Sequence, residues 1–309
     1  MQNHQDMIIL AGPTAVGKTQ YALKKAHEWD AEILSCDAMQ FYRGLDIGTA
    51  KPTPEEQAQI AHHGVDIREL RHPMDIQSYT TYAKEVVSSL HKKGKNVLVV
   101  GGSGLYQKSF LEPVTDPIKV SPDTRQRVQK EYDDNGLESL VNWLHELNPD
   151  GLAHLDTNNP RRVIRALERC LASGKTHQQQ KTEMQEQPRP FPACTKHLIC
   201  LEREDHDLRH RIHLRTKKML KNGLIEEVNH LMQNDLLKNP SAANAIGYAE
   251  VIEWLKDQNG DIEKAHSNRD VLQQCIEQST WKLVRKQRTW IRNQLHPDQW
   301  IYLTTEGTP

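Results

Sequence analysis

The chain has 309 residues, enough for one large domain or two ordinary ones, with 37% apolar residues and a mean hydropathy of −0.74. Its net charge is −1, so it lacks the overall basicity of a general nucleic-acid binder, and no window approaches the ~20 apolar residues of a membrane span. Cys36, Cys170, Cys194, Cys200 and Cys275 are odd in number and scattered without a CxxC pair, which argues against a disulfide framework or zinc knuckle and fits a reducing cytoplasm.

The elements follow in chain order. MQNHQDMIIL has no basic n-region and no signal peptide is expected. Met7–Ala11 is a short apolar run ending at a glycine, the pattern of a buried parallel strand. A helix is expected over Gly17–Trp29, a second strand over Ala31–Ser35, a polar stretch containing Pro52 and Pro54, a helix over Ser78–Lys92 and a strand over Asn96–Val100. His62-His63 reads as loop, and the sixteen histidines show no metal-ligand spacing. Alternating strands and helices predict an α/β fold, a parallel sheet flanked by helices.

From Ser121 to Thr182 the strand signal stops. Ser121-Pro122 has the form of an N-cap and first helical residue, and helices are expected near Asp123–Asp134, Leu137–Glu146, Gly151–Leu155 and Pro160–Ser173, punctuated by Gly136 and Gly174. This is a helical insertion. Gln178–Pro192 reads as a loop. Lys196–Leu201 returns to strand, and helices are expected over Asp205–Asn222, Leu224–Gln233, Ala243–Lys256 and Arg269–Asn293, with a last strand at Trp300–Leu303. The division expected is a catalytic core of residues 1–116 and 193–309 around an insertion of residues 117–192.

Gly12-Pro13-Thr14-Ala15-Val16-Gly17-Lys18-Thr19 matches GxxxxGK[ST] between a strand and a helix, the context the motif requires. Its backbone N–H groups cradle a diphosphate-like group, Lys18 adds a cation and the Thr19 hydroxyl is placed for Mg²⁺. The motif is an ATP-binding one, but the accompaniments of an ATPase are missing, since Asn96–Val100 ends in Gly-Gly-Ser and the only acid at a strand end is Asp37. By itself the sequence leaves Asp37 as either a metal ligand or a proton acceptor. Two segments, Arg211–Lys221 and Lys282–Arg292, carry five basic residues each and no acid, and are either phosphate-binding patches or solvated helix faces.

Together with GPTAVGKT, the stretches SCDAMQFYRGLDIGTAKP (Ser35–Pro52), GGSGLY (Gly101–Tyr106), NNPRRVIRALE (Asn159–Glu168), NAIGY (Asn244–Tyr248) and VRKQRTWIR (Val284–Arg292) resemble the tRNA dimethylallyltransferases, over essentially the whole chain. The resemblance implies a P-loop NTPase-like core that transfers a dimethylallyl group from dimethylallyl diphosphate to the N6 amine of the adenosine 3′ to the anticodon, releasing pyrophosphate. In that scheme Gly12, Thr14, Ala15, Val16, Gly17, Lys18 and Thr19 hold the diphosphate, Thr19 touches Mg²⁺, Arg215 steadies the leaving charge, Asp37 is the base and Ser103 contacts the reacting oxygen. Asp37, Ala38, Met39, Gln40, Ser103, Asn244, Gly247 and Tyr248 meet the tRNA at the target base. Arg125, Arg161, Arg162, Arg165, Lys282, Arg285, Lys286 and Arg288 meet its phosphates along the anticodon stem-loop. Ser103 stands where the family has threonine, Ala38 where it favours serine, Asn244 where it has glutamine and Trp281 where arginine is common. The expected protein is a cytoplasmic monomer. The competing readings are an isopentenyltransferase acting on free adenine nucleotides, a P-loop small-molecule kinase, and a non-catalytic RNA-binding protein.

Overall fold

The computed structural model describes residues 5–152, 155–258, 264 and 267–304. The chain divides into two compact units, residues 1–112 with 190–309, and residues 113–189. Among the described residues no helix is long and apolar enough to cross a membrane.

The first unit is built on a six-stranded sheet: β1 (Gln5–Ala11), β2 (Ala31–Ser35), β3 (His62–His63), β4 (Asn96–Val100), β5 (Cys194–Glu202) and β6 (Gln299–Tyr302). The spatial order is β3-β2-β4-β1-β5-β6 and every pair is parallel. β1 is central, with Ile9 opposite Val99 on one side and Leu198 on the other. A strand covered on both faces has to be apolar at every position, and Met7 to Ala11 are all buried. Alternation then sends Met7, Ile9, Val97, Val99 and Leu198 to one face, where α3 (Ile76–Lys92) packs through Tyr79, Ala83 and Leu90. Ile8, Leu10, Leu98, Ile199 and Leu201 face the other way, against α1 (Lys18–Glu28) and α8 (Asp205–Lys221).

Two short helices, α2 (Pro54–Gln59) and α4 (Gly104–Lys108), complete the first half of this unit. The second half adds α9 (Leu224–Met232), α10 (Pro240–Ala243), α11 (Tyr248–Asp257) and α12 (Arg269–Trp290). Leu224, Val228, Val251, Leu255, Leu272 and Ile276 from this set form a second core with Tyr42 and Leu45. The other unit is helical: α5 (Pro122–Glu146), broken at Gly136 (φ 78°) into the two expected helices, and α6 (Pro160–Ser173) close over Val128, Leu140, Leu144, Val163 and Leu167. α7 (His177–Gln185) ties back to α6 through Gln180, whose amide donates to the Ser173 hydroxyl at 3.1 Å.

Several expectations are corrected. His62-His63 is a two-residue edge strand paired with Ile33 and Leu34. The polar stretch holds α2, begun by a capping box in which Thr53 accepts from the Glu56 N–H and Glu56 accepts from the Thr53 N–H. The expected loop Gln178–Pro192 begins as α7, for the same reason, with Thr176 and Gln179 as the reciprocal pair. The helix expected over Ala243–Lys256 is broken, because Gly247 has φ 94°, and α11 restarts behind it with the Glu250 carboxylate accepting from the Gly247 N–H. Of the expected helix Gly151–Leu155, Gly151, Leu152 and Leu155 are non-helical and residues 153–154 lie outside the described residues. The last helix ends at Trp290 in a π turn, Ile291–Leu295.

Candidate active site

Four strands deliver their following loops to one end of the sheet, the carboxyl end where parallel sheets hold ligands. After β1 comes the Gly12–Gly17 loop, after β2 Cys36-Asp37, after β4 Gly101-Gly102-Ser103, and after β5 Arg203. The loop after β1 needs its glycines. Gly12 has φ 148° and a Cβ there would lie 2.8 Å from the Leu201 carbonyl oxygen, while Gly17 has φ 109° as the residue before α1. Ala15 also takes a positive φ, 66°, a conformation that turns successive N–H groups into a concave anion cradle.

Outside hydrogen bonds hold this loop in shape. Arg203 Nε donates to the Val16 carbonyl and Arg211 Nε to the Ala15 carbonyl, both at 2.8 Å. Gln287, on α12, accepts from the Thr14 N–H at 2.9 Å and donates to the Gly102 carbonyl at 3.1 Å, so one amide ties the first loop to the third. Lys18 Nζ donates to the Gly12 and Pro13 carbonyls at 2.8 Å each. Burial pushes the Lys18 ammonium down to about 8, with Asp37 opposing the shift and Arg215 adding to it. Burial also lowers Arg215, again opposed by the Asp37 carboxylate. Lys18, Asp37 and Arg215 therefore feel one another's charge, a two-cation, one-anion group at the mouth of the loop.

Asp37 is half-buried and caps its own turn, Oδ1 accepting from the Met39 N–H at 3.0 Å. The Ser103 hydroxyl accepts from the Ala38 N–H at 3.0 Å, and Gln40 Oε1 accepts from the Ser35 hydroxyl at 3.0 Å. These bonds place the second and third loops side by side. A Cβ on Gly101 would lie 2.6 Å from Cys36 Sγ and 2.8 Å from the Asp37 nitrogen, which explains the glycine. The cavity of about 390 Å³ between the loops is lined by Thr14, Lys18, Thr19, Asp37, Gln40 and Arg215, among others. A smaller chamber of about 120 Å³ shares Thr14, Asp37, Thr49 and Arg215 with it and is otherwise mainly apolar, with Met39, Ile212, Met219, Ile246, Ile276 and Leu283 in its wall.

The sheet-bearing unit thus brings together Gly12, Thr14, Ala15, Val16, Gly17, Lys18, Thr19, Asp37, Ala38, Met39, Gln40, Ser103 and Arg215. Not every expected residue faces outward. Tyr248 is fully buried and its hydroxyl donates to Glu227 Oε1 at 2.6 Å, so it is a core residue whose ring reaches only the apolar chamber. Arg288 is held internally, by both Glu202 oxygens at 3.0 and 2.8 Å, by Asp205 at 2.6 Å and by the Arg203 carbonyl, leaving its side chain 17% exposed. That network already matches its charge with two carboxylates. Gly247 is buried, whereas Asn244 is exposed with its amide donating to the Pro240 carbonyl. Lys282, Arg285 and Lys286 are exposed on α12. In the helical unit Arg125, Arg161, Arg162 and Arg165 are exposed. Three contributors were missed in sequence, Arg203 and Gln287 behind the first loop and Glu227 behind residues 46–48, and Arg211, read only as part of a basic patch, holds the first loop.

Comparison with known proteins decides the family. The IPP transferase family model matches residues 40–294, and the tRNA dimethylallyltransferase of Opitutus terrae is 47% identical over 290 residues, 94% of this chain and 90% of that protein. The chain belongs to the tRNA dimethylallyltransferase family. A second family member, from Bifidobacterium longum subsp. infantis, is 36% identical over 93% of this chain and 83% of its own length. Among solved structures, the full-length tRNA isopentenylpyrophosphate transferase of Bacillus halodurans superposes with a TM-score of 0.63 at 30% identity, covering 96% of this chain and 90% of that one. A eukaryotic dimethylallyltransferase superposes with a TM-score of 0.82 over 97% of this chain and 74% of its own; at 22% identity it speaks for the fold alone. The family's P-loop-like fold is the six-stranded parallel sheet described above.

Proposed function

We propose that this protein transfers a dimethylallyl group from dimethylallyl diphosphate to the N6 amine of the adenosine 3′ to the anticodon in tRNA, releasing pyrophosphate. The observation that carries the reading is one cavity in which the phosphate loop, two half-buried cations, a carboxylate and an apolar chamber all meet. A kinase uses the first three features, its carboxylate serving as base or metal ligand; the apolar chamber is the one a prenyl transfer adds.

The loop N–H groups hold the diphosphate, with Lys18 and Arg215 taking the charge that grows on the leaving oxygens as the allylic carbon–oxygen bond breaks. The apolar chamber receives the branched hydrocarbon. A purine suits the chamber less, because its edges need polar partners. The adenine leaves the anticodon-loop stack to enter the cavity, as a base must when chemistry is done on it, and its edge meets Asp37–Gln40. The exocyclic amine is a weak nucleophile, since its lone pair is delocalised into the ring. It attacks the allylic carbon and gives a proton to Asp37, which lies on the wall of both spaces. Ser103, beside Ala38, offers its hydroxyl proton to the oxygen that bridges prenyl and diphosphate.

Among the described residues no group of three or more His, Cys, Asp or Glu side chains is arranged to hold a metal by itself. Mg²⁺ suits what is present, because it takes few protein ligands and completes its shell with water and substrate phosphate oxygens. Thr19 would be its protein contact, and when bound the ion neutralises charge on the departing pyrophosphate. The exposed arginines of the helical unit, Arg125, Arg161, Arg162 and Arg165, with Lys282, Arg285 and Lys286 of the other unit, supply phosphate contacts to the anticodon stem-loop. A cytoplasmic monomer completes the proposal.

Incubation with dimethylallyl diphosphate, Mg²⁺ and unmodified tRNA, followed by nucleoside mass analysis, is expected to yield prenylated adenosine. Prenylated AMP or consumption of ATP, without prenyl-adenosine in tRNA, overturns the reading.

A further inference from the structure

The segment DIGTAK, Asp46–Lys51, belongs to no regular element, yet its Thr49 and Ala50 line the cavity beside Lys18 and Arg215. The Thr49 carbonyl accepts from Arg215 Nη2 at 3.3 Å. That carbonyl therefore helps aim the guanidinium, and whatever fixes residues 46–49 fixes the aim. Glu227, on α9, does so with a single carboxylate. Its Oε2 accepts from the Asp46 and Ile47 N–H groups at 3.1 and 2.7 Å, and its Oε1 from the Gly48 N–H at 3.2 Å and the Tyr248 hydroxyl at 2.6 Å. Three successive backbone donors and a buried phenol converge on two oxygens. All four are donors, so only an ionised carboxylate accepts every one of them.

The rest of the segment is as tightly determined. A Cβ on Gly48 would lie 2.5 Å from the Tyr248 ring, so the chain passes directly across that ring's face or edge and no larger residue fits. Lys51, with its side chain 5% exposed, donates to the Tyr42 carbonyl and pairs with Asp46 and Asp66 at 2.5 Å each. Ala50 between them takes a positive φ of 48°, a strained conformation that persists only where its surroundings over-determine it. Glu227 itself lines neither the large cavity nor the apolar chamber.

We infer that Glu227 is a positioning residue for the transfer: it holds the 46–48 backbone as an anion, and through the Thr49 carbonyl sets where the Arg215 guanidinium meets the diphosphate. The inference rests on the role given to Arg215 above. In Glu227→Gln one acceptor oxygen is replaced by a donor, which faces the donors that the carboxylate oxygen had satisfied, while size and helix are kept. The expected result is about a tenfold weaker affinity for inorganic pyrophosphate with Mg²⁺, measured by calorimetry, and a larger fall in kcat than rise in KM for the prenyl donor. The deciding measurement is a double-mutant cycle. Once Arg215→Ala has removed the guanidinium, adding Glu227→Gln is expected to cost no further pyrophosphate affinity, because the two act through one contact. A purely structural glutamate would weaken binding by the same factor in both backgrounds, and that additivity overturns the inference.

If Glu227→Gln does not fold, Tyr248→Phe removes one of the four donors without altering ring volume. It is expected to weaken pyrophosphate binding about threefold in the wild-type background and not in Arg215→Ala; unchanged affinity in the wild-type background overturns the inference. Pyrophosphate binding is read without any prenyl transfer, so failure of the tRNA assay and failure of this cycle are separate results.

Discussion

Arg203, Arg211 and Arg215 of the sheet-bearing unit each donate to a backbone carbonyl, of Val16, Ala15 and Thr49. The arginines of the helical unit are placed differently. Arg125 and Arg161 are exposed, and the side chains of Arg162 and Arg165, each 55% exposed, make only loose contacts of 3.8 Å to Asp156 and 3.3 Å to Glu168. The first set is spent on geometry: each guanidinium trades solvent for a fixed position on a loop that lines the cavity. The second set keeps its hydration and its freedom, and an exposed pair of that kind contributes ~0–1 kcal/mol to stability. The same residue type thus does two jobs. Fixed cations stabilise charge that develops at one point in a reaction, because no reorganisation is needed when the charge appears. Mobile surface cations suit a polyanion, whose phosphates are many and which rewards the release of counterions.

The sharpest way to break this comparison is to remove Asp37, the carboxylate that Lys18 and Arg215 both feel. Asp37→Asn keeps the shape and the acceptor oxygen that caps Met39, but cannot take a proton. Transfer to tRNA is expected to fall by ~10²–10⁴-fold, the usual weight of a general base, while pyrophosphate binding stays near normal. A loss of metal and pyrophosphate binding in step with activity would instead make Asp37 a ligand, and the fixed set would be an anion site with a metal at its centre.

A smaller effect is expected from pH. Burial lowers the Lys18 ammonium to about 8. Below that value the loop carries its cation and binds the diphosphate fully. Above it the free enzyme holds a neutral amine, and affinity for pyrophosphate is expected to fall by about tenfold per pH unit until the bound-state value is reached. The stability consequence has the opposite sign to that of a salt-bridged lysine. The folded protein disfavours the charged form, so the cost is fully present below about pH 8 and is relieved as the pH rises toward the ordinary value of 10.5. Titration of pyrophosphate affinity between pH 7 and 9.5 tests this, and a flat profile would show that burial does not set the charge of Lys18. Arginine, whose guanidinium stays protonated throughout, cannot produce the profile, so it also separates the lysine from the arginines around it.

The division of labour explains what could be read in the sequence. The phosphate loop, the Asp37 turn and the Gly101–Ser103 loop are local: strand, glycines and polar residue lie within ten positions, and their alternation predicts the sheet. The supports are not local. Gln287 lies 273 residues from Thr14, and Glu227 some 180 from the Asp46–Gly48 backbone it holds, and nothing in α9 or α12 marks one acid or one amide among its neighbours. Arg288 sits in a basic run on α12, and only Glu202 and Asp205, 86 and 83 residues away, reveal that its charge is already matched. The missed helices α2 and α7 were legible in principle. Thr53-Pro54-Glu55-Glu56 and Thr176-His177-Gln178-Gln179 both carry the capping-box pattern, which outweighs the prolines and glutamines that suggested loop.

The mildest expected effect sharpens the other side of the comparison. Arg161, Arg162 and Arg165 lie on α6, whose buried apolar face is Val163, Ala166, Leu167 and Cys170, so replacing the three with alanine leaves that apolar face intact and removes exposed charge, with the 3.3 Å contact of Arg165 to the buried Glu168 as the one internal pair lost. Thermal stability is expected to fall slightly, by no more than the loss of that one pair, and kcat at saturating tRNA to stay near normal. KM for tRNA is expected to rise at low salt, and the slope of log affinity against log salt to become shallower by about 0.7–0.9 for each phosphate that is no longer neutralised. Free dimethylallyl diphosphate binding is expected not to move. If kcat falls instead and the salt slope is unchanged, these arginines are committed to geometry like those around the phosphate loop. The contrast between fixed and mobile cations would then mark only their burial and not two kinds of work.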